Sequence, residues 1–298
     1  MKQIKAERIL FLDHGGYLAY HLEDFKRALP IAGIVEYGLN GEKRFSQCNL
    51  GGVNYASIGL SPIKRFADYS CGKLIGELSM PISQSFRGYG NHLRSITQVG
   101  VIGFGKLGSN AAEMMRMNGA HNIMVFDTNP EKMIEAGQKG YNIQCGSVEE
   151  LVSQCNMIIV GADTAPIKPF MYDSIRNHTI IGTVTSPDDT LDIDTLLAEE
   201  ILINPKIEKK EPRITTYSHG NKKIHLICGG DAPNLKGSNF GIDDPTLFMP
   251  LSLHGLVGHE LLTAGSIDKE KISHLERFTM EQYLLAYRQT IQSFERGR

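Results

Sequence analysis

The sequence predicts an α/β fold in which a doubly wound parallel sheet is inserted in a smaller, partly degenerate α/β domain. Two observations support this prediction. From Gln98 onward, short apolar runs alternate with stretches of helical periodicity, which is typical of parallel strands joined by crossover helices. Nearer the start, apolar runs at 9–12 and 31–35 flank a helical stretch at 18–28, which predicts a second, smaller α/β unit.

The individual elements follow from the same patterns. In the first third we expect strands at 9–12 and 31–35, and then a helix at 73–86 that Pro81 breaks. The glycines at 88–91 predict a hinge. The regular alternation then predicts strands at 99–102, 123–126, 157–160 and 179–184, with helices at 106–117, 130–138 and 148–154. Last come a hairpin of 213–217 and 224–227 around the turn at 218–221, and helices at 245–262 and 268–296.

The length of 298 residues predicts two domains, because single hydrophobic cores seldom grow beyond about 250 to 300 residues. We expect residues 1–95 to form the smaller domain and residues 96–244 the doubly wound domain. Residues 245–298 are expected to return as helices to the first domain. A broad apolar stripe on the last helix predicts a homodimer or higher homo-oligomer.

The composition excludes several classes of protein. A formal net charge of -2 provides no field that would attract nucleic acid, and no run reaches the roughly 18 apolar residues of a membrane span. The charged start of the chain lacks the apolar core of a signal peptide. Five cysteines without a CxxC pair favour reduced thiols in the cytoplasm, and they predict neither a disulfide framework nor a metal site.

The strongest motif is the glycine pattern of Gly103, Gly105 and Gly108, which follows one predicted strand and opens a helix. This context indicates a Rossmann-type dinucleotide fold, in which the pyrophosphate lies at the helix N terminus. Asp127, at the end of the next strand, is placed to accept hydrogen bonds from the adenine ribose. A carboxylate there repels a 2′-phosphate, and Thr128 and its neighbours include no arginine, so NAD is favoured over NADP.

Other segments resemble one family of NAD enzymes. The chain has FLDHGG at 11–16, GIVEYGLNG at 33–41, SPIKRFAD at 61–68 and GDAPNL at 230–235. These are similar to the LDDGG, GISEETTTG, SVTKSKFD and GRLVNL segments of S-adenosylhomocysteine hydrolase, which cleaves the thioether of adenosylhomocysteine. The resemblance covers most of the chain. It implies that the smaller domain is a substrate domain.

The resemblance also implies roles for particular residues. In that family, bound NAD oxidises the ribose 3′-hydroxyl, the thiol is eliminated, water adds, and the hydride returns. The family's lysine and aspartate that assist the hydroxyl proton match Lys64 and Asp68, and its carboxamide-binding asparagine matches Asn234. Motif and resemblance together give the expected NAD contacts as Gly103, Gly105, Lys106, Leu107, Gly108, Asp127, Thr128, Gly161, Ala162, Gly182, Thr183 and Asn234.

The sequence departs from the family pattern where substrate is recognised. A family carboxylate is matched by His14 and a family glutamate by Tyr37, while the two catalytic histidines fall on Thr183 and Asp244. The family's long N-terminal adenosine-binding segment and its C-terminal extension have no counterpart in these 298 residues. We therefore expect a substrate other than adenosylhomocysteine.

Simpler interpretations of the catalytic candidates stay open from the sequence. Lys64 and Asp68 are four residues apart, a spacing that also suits a solvated surface pair on a helix. Asp13 suits either substrate contact or capping of the following helix. His14 is a candidate general base in place of a missing histidine.

Three functional hypotheses follow. The first is an NAD-dependent enzyme that oxidises, transiently or outright, a secondary hydroxyl of a nucleoside or sugar-like substrate. The second is an ordinary dehydrogenase of a small hydroxy acid or imine, which would exchange its cofactor in each cycle. The third is a non-catalytic NAD-binding protein, since fold alone does not determine function.

Overall fold

The apolar runs near the start of the chain form a small parallel sheet in the computed structural model, which describes residues 7–88, 98–162, 164–184, 190–209, 211–233 and 245–296. The described residues group into two units. Unit 1 comprises residues 1–67 and 244–298, and unit 2 comprises residues 68–243. The helix that begins at Lys64 passes from one unit into the other.

The sheet of unit 1 has the order β1–β2–β3, and its neighbouring strands are parallel. These strands are β1 (Ile9–Asp13), β2 (Ile31–Glu36) and β3 (Asn54–Ser57). The helix expected at 18–28 is divided into a 3₁₀ turn (Tyr17–His21) and α1 (Leu22–Ala28), and α2 (Leu39–Phe45) follows β2.

The C-terminal helices of unit 1 complete its core. They are α8 (Pro245–Ala264) and α9 (Lys269–Arg296), as the periodicity predicts. Leu253, Val257 and Leu261 of α8 are buried in the same apolar cluster as Val35 of β2. Because α8 contacts β1 and β2, it covers one face of the small sheet.

Unit 2 contains the doubly wound sheet that the sequence predicts, with the strand order β5–β4–β6–β7–β10–β9–β8. Strands β4 to β7 are parallel, β10 is parallel to β7, and β9 is antiparallel to both of its neighbours. The strands are β4 (Val99–Ile102), β5 (Ile123–Phe126), β6 (Met157–Val160), β7 (Thr179–Thr183), β8 (Ile203–Ile207), β9 (Ile214–His219) and β10 (Lys222–Ile227).

Two helices of unit 2 begin at residues whose side chains cap them. The Asn129 side chain accepts from the N–H of Glu131, and the Ser147 side chain accepts from the N–H of Glu150. Three helices of unit 2 confirm the predicted bounds: α4 (Lys106–Met117) and the two capped helices, α5 (Pro130–Gln138) and α6 (Val148–Gln154). A short α7 (Ile193–Ala198) follows the segment in which the sequence favours a helix cap at Asp188 or Asp189, two residues that lie outside the described ranges.

The helix expected at 73–86 differs from the prediction. It is α3 (Lys64–Gly88), which begins at Lys64 and continues through Pro81. A proline inside a helix removes one backbone hydrogen bond. Here Met80 and Ile82 on either side of it are buried in the core of unit 2, and we infer that their burial outweighs that loss.

Helix α3 packs closely against α4 because two of its residues are glycines. A β-carbon at Gly72 would lie 2.6 Å from the Leu107 carbonyl oxygen. One at Gly76 would overlap the Ala111 carbonyl oxygen and lie 2.9 Å from the Met114 β-carbon. A side chain at either position would therefore push the two helices apart.

Among the helices of the described ranges, none combines the length and apolar character that a bilayer crossing requires. All five cysteines are free thiols. The described residues contain no group of histidine, cysteine and carboxylate side chains arranged to hold a metal ion.

We expect Gly76→Ala to lower the free energy of unfolding by about 1–3 kcal/mol, because its β-carbon meets backbone of α4 that cannot rotate away. Urea denaturation followed by circular dichroism measures this change. Gly255→Ala is the matched control, since a β-carbon at Gly255 in α8 meets no atom within 4 Å. That control should stabilise the protein by about 0.5–1 kcal/mol, and equal effects of the two variants would contradict the close packing.

Candidate functional site

The first candidate site lies where the sheet of unit 2 changes its winding direction. Strand β4 lies between β5 and β6. The chain runs from β4 to β5 on one side and then crosses to β6 on the other. Ligands of open α/β sheets bind at the carboxyl ends of the strands where such a reversal occurs. The loops that follow β4 and β6 therefore form the first candidate site.

Three glycines bring these two loops together. Gly103, after β4, has a φ of +90° and donates its N–H to the Phe126 carbonyl oxygen over 2.8 Å. A β-carbon at Gly103 would lie 2.8 Å from the backbone nitrogen of Ala162, and one at Gly161 would lie 3.2 Å from the Gly108 α-carbon. A β-carbon at Gly108 would overlap the Gly103 carbonyl oxygen. The backbones at Gly103, Gly108, Gly161 and Ala162 are thus in close contact.

Gly105 differs from its neighbours because it faces open space. A β-carbon there would meet no atom within 4 Å. Gly105 is also the N-cap of α4, and it makes no side-chain capping bond there. The first turn of α4, which includes exposed Lys106 and half-buried Leu107, therefore presents backbone N–H groups beside an open cradle. This arrangement fits a pyrophosphate, which a side chain at Gly105 would obstruct.

Asp127 connects the loop after β4 to the loop after β5. Its Oδ2 atom accepts from the N–H of Phe104 over 2.6 Å, and its Oδ1 atom accepts from the N–H of Asn129 over 2.8 Å. These bonds fix the carboxylate at the end of β5, next to the glycine loop. A carboxylate oxygen can accept two hydrogen bonds, so these bonds leave acceptor capacity for ribose hydroxyls. Thr128 follows as an exposed residue.

The remaining predicted cofactor contacts lie in β7 and after β10, away from the glycine loop in the sequence. Gly182 is buried inside β7, where a β-carbon would lie 3.0 Å from Ile159 Cδ1. Thr183 is also buried, and its hydroxyl donates to the Gly230 carbonyl oxygen over 2.6 Å. This bond links the end of β7 to the turn after β10. Asn234 lies outside the described residues.

Asp68 contacts the glycine loop rather than an isolated stretch of surface. Its Oδ2 atom lies 3.4 Å from Lys106 Nζ, with the aspartate side chain 20% exposed and the lysine side chain 54% exposed. Asp68 lies one turn before Gly72, where α3 packs closely against the start of α4. The structure therefore brings together two residues that the sequence assigned separately to catalysis and to cofactor binding.

The second candidate site lies in unit 1, at the carboxyl ends of β1 and β2. Asp13 caps the following 3₁₀ turn, because its Oδ2 atom accepts from the N–H of Leu18 over 3.1 Å, while Oδ1 accepts from the N–H of His14 over 2.8 Å. Glu36 is fully buried, and its Oε1 atom accepts from the N–H groups of Gly15 and Gly38. The two carboxylates thus shape the turn that presents His14.

Tyr37 forms the centre of a compact cluster in unit 1. Its ring meets His14 edge-on with centroids 4.6 Å apart, and His254 of α8 at 5.5 Å. Lys64 Nζ lies 4.4 Å from the Tyr37 ring centroid, a cation–π contact in which the lysine is only 8% exposed. We name His14, Tyr37, Lys64 and His254 the Tyr37 cluster.

The surroundings keep both imidazoles of the Tyr37 cluster largely neutral. Burial by surrounding protein lowers the pKa of His14 from its ordinary value of 6.5, and the charge of Lys64 lowers it further. Burial also lowers the pKa of His254, although its bond to a backbone carbonyl opposes the shift. His254 Nε2 lies 2.8 Å from the Val35 carbonyl oxygen. Because a carbonyl only accepts, Nε2 carries the proton and Nδ1 is the acceptor.

The sequence did not reveal the part played by His254 or Tyr37. The five-residue spacing between His254 and His259 excludes a metal pair on one helix face, and it predicts a packing or interface role. The structure agrees with packing for His254, which is buried against the Tyr37 ring and bonded to the Val35 carbonyl oxygen, more than 200 residues earlier in the chain. No local pattern carries that signal.

The segment that contains the first site matches a family model of an NAD-binding domain. Residues 87–239 match the family model described as the NAD binding domain of S-adenosyl-L-homocysteine hydrolase. The glutamyl-tRNA reductase of Sulfolobus acidocaldarius is 23% identical over 190 residues, which are 61% of this chain and 45% of that protein. The chain thus spans less than half of that relative. A crystal structure of a dipicolinate synthase subunit from Bacillus halodurans has a TM-score of 0.39 and 13% identity, with 55% of each chain covered.

We expect Gly105→Ala to weaken NAD binding by at least about tenfold, because its methyl group enters the cradle, while the free energy of unfolding stays within about 0.5 kcal/mol. Gly108→Ala should lose both binding and stability, because its β-carbon overlaps the Gly103 carbonyl oxygen. Isothermal titration calorimetry and urea denaturation measure the two quantities. Normal NAD affinity in Gly105→Ala would show that the cradle does not hold the pyrophosphate.

We expect Lys64→Met to raise the pKa of His14 toward its ordinary value, because it removes a positive charge that disfavours the imidazolium. Burial persists, so part of the lowering should remain. Nuclear magnetic resonance titration of the His14 ring protons measures the pKa. Lys43→Met, at a lysine of α2 outside the Tyr37 cluster, is the matched control and should leave the titration unchanged. An unaltered pKa of His14 in Lys64→Met would show that the Lys64 charge does not influence the His14 imidazole.

Proposed function

The chain belongs to the S-adenosyl-L-homocysteine hydrolase family through its NAD-binding domain, and we propose that it uses NAD to oxidise a secondary hydroxyl of a nucleoside or sugar-like substrate. The open cradle at Gly105 is the observation that carries the cofactor half of this proposal. The Tyr37 cluster supports the part of the proposal that concerns proton transfer, because hydroxyl oxidation needs a group that accepts the hydroxyl proton.

The cofactor half rests on the backbone of unit 2. The N–H groups of the first turn of α4 would bind the pyrophosphate, and Asp127 would accept from the adenine ribose hydroxyls. Bound NAD supplies a hydride acceptor that also returns the hydride. Asp127 disfavours a phosphate on that ribose, which supports NAD rather than NADP.

The proton half rests on unit 1. His14 is neutral near neutral pH because its pKa is lowered, so its imidazole accepts the proton of the substrate hydroxyl. The Lys64 ammonium, held over the Tyr37 ring, stabilises the oxygen as that proton leaves. The imidazolium formed in this way returns the proton when the hydroxyl forms again. Activity is therefore expected to persist below pH 6.5 and to fall only as pH drops through the lowered pKa of His14.

We propose a homodimer as the working assembly. Helix α9 has large apolar side chains that are about half exposed, which is more than a solvated helix needs. These side chains are Phe278, Leu284, Leu285 and Tyr287. A second copy of α9 would cover them symmetrically. We also propose a cytoplasmic location, because the five cysteines are all free thiols.

The experiment that tests this function is solvent exchange. We expect the protein with NAD, in deuterium oxide, to introduce deuterium into a nucleoside or sugar at the carbon next to the oxidised position. The reason is that a transient ketone acidifies that C–H bond, while the returning hydride leaves no net NADH. Mass spectrometry of a panel of nucleosides and sugars measures the exchange.

The outcomes distinguish the possible functions. Lys64→Met and His14→Ala should abolish exchange, while the Lys43→Met control should retain it. Accumulation of NADH without exchange would indicate net oxidation with release of the reduced cofactor, as in an ordinary dehydrogenase, and NAD binding with neither result would indicate a non-catalytic protein. Full exchange in Lys64→Met would remove that residue from the proposed chemistry.

A further inference from the structure

The ion pair between Asp68 and Lys106 places a carboxylate beside the loop that receives the cofactor pyrophosphate. Lys106 is the first residue of α4 and directly follows Gly105, the open position of the cradle. Its Nζ atom lies 3.4 Å from Asp68 Oδ2. A lysine in this position is suited to bind an anion, yet it already has an anionic partner.

The packing of α3 fixes this arrangement. Gly72 lets α3 approach the backbone of Leu107 at the start of α4. Asp68 lies one turn before Gly72 on α3, so the same close packing holds its carboxylate near the first turn of α4. Asp68 is 20% exposed, which limits the screening of its charge by water. Lys106 is 54% exposed, and its long side chain can change partner without unpacking either helix.

We propose that Asp68 and the NAD pyrophosphate compete for the Lys106 ammonium, so that Lys106 leaves Asp68 when the cofactor binds. Asp68 then lowers the affinity for NAD, because its ion pair with Lys106 must break before the pyrophosphate can bind the ammonium. Cofactor binding releases the Asp68 carboxylate from this ion pair. By linkage, a ligand that holds Asp68 away from Lys106 strengthens NAD binding by the same factor by which NAD strengthens the binding of that ligand. The inference rests on NAD binding at this loop but on no particular substrate.

The test is a double-mutant cycle on Asp68 and Lys106, with affinities measured by isothermal titration calorimetry. Asp68→Asn should tighten binding of NAD about three- to fivefold, the range of a partly exposed ion pair. Lys106→Ala should weaken it by at least about tenfold, because a charge-assisted bond to phosphate is lost. ADP-ribose, which has the pyrophosphate but no nicotinamide, should show the same factors as NAD.

The decisive comparison is the effect of Asp68→Asn in the Lys106→Ala protein. Competition predicts that the gain shrinks to less than half there, since no ammonium is left to share. An equal gain in both backgrounds would mean that Asp68 only repels the pyrophosphate, and it would overturn the proposed competition for Lys106. No gain, or weaker binding in Asp68→Asn, would also overturn it, and Asp68→Ser repeats the test if the asparagine variant folds poorly.

Two controls keep this inference separate from the proposed function. Glu113→Gln removes the same charge from an exposed position further along α4, and it should leave NAD affinity unchanged. An effect on NAD without one on ADP-ribose would place Asp68 at the nicotinamide and contradict the exchange. The binding factors are measured without substrate, so loss of the proposed oxidation would leave them intact.

Discussion

The approach of Gly108 to the carbonyl oxygen of Gly103 is the contact on which the cofactor loop depends. Any β-carbon at Gly108 would overlap that oxygen, so only glycine lets the first turn of α4 reach the end of β4. The same approach brings Gly161 against both residues, which joins the loops after β4 and β6. The N–H groups of α4 thereby face the open space at Gly105. Backbone contact, rather than side-chain chemistry, creates the binding surface.

Close helix packing extends this constraint to the charges around the loop. Gly72 and Gly76 hold α3 against α4, and Asp68 follows from that geometry as a neighbour of Lys106. A carboxylate beside an anion site weakens anion binding unless a cation compensates for it. The ion pair therefore makes the affinity of the glycine loop for an anion depend on Asp68, a residue of another helix. Such coupling needs rigid packing, because a loosely held aspartate would move away from the negative ligand.

The sequence predicted the parts of the fold that local signals control. The bounds of α5 and α6 follow from the caps Asn129 and Ser147, and those of β4 from a wholly buried apolar run. Local signals failed where tertiary packing decides: α3 continues through Pro81, and β8 is an exposed edge strand that contains a proline of its own. The sequence identified Lys64 and His14 as catalytic candidates but not His254. Its hydrogen-bond partner Val35 is far away in the chain, and only the fold brings the two residues together.

The Tyr37 cluster suits a reaction in which a proton leaves the substrate and later returns. The oxygens of Asp13 are engaged by the N–H groups of its own turn, and Glu36 Oε1 is engaged by Gly15 and Gly38, so these carboxylates organise backbone. Burial raises the pKa of Glu36, which further reduces its use as an ionised base. His14 differs, because a neutral imidazole has both an acceptor and a donor nitrogen. Burial, and after it the nearby Lys64 charge, lowers the pKa of His14, so the neutral imidazole can accept a proton and, once protonated, releases it readily.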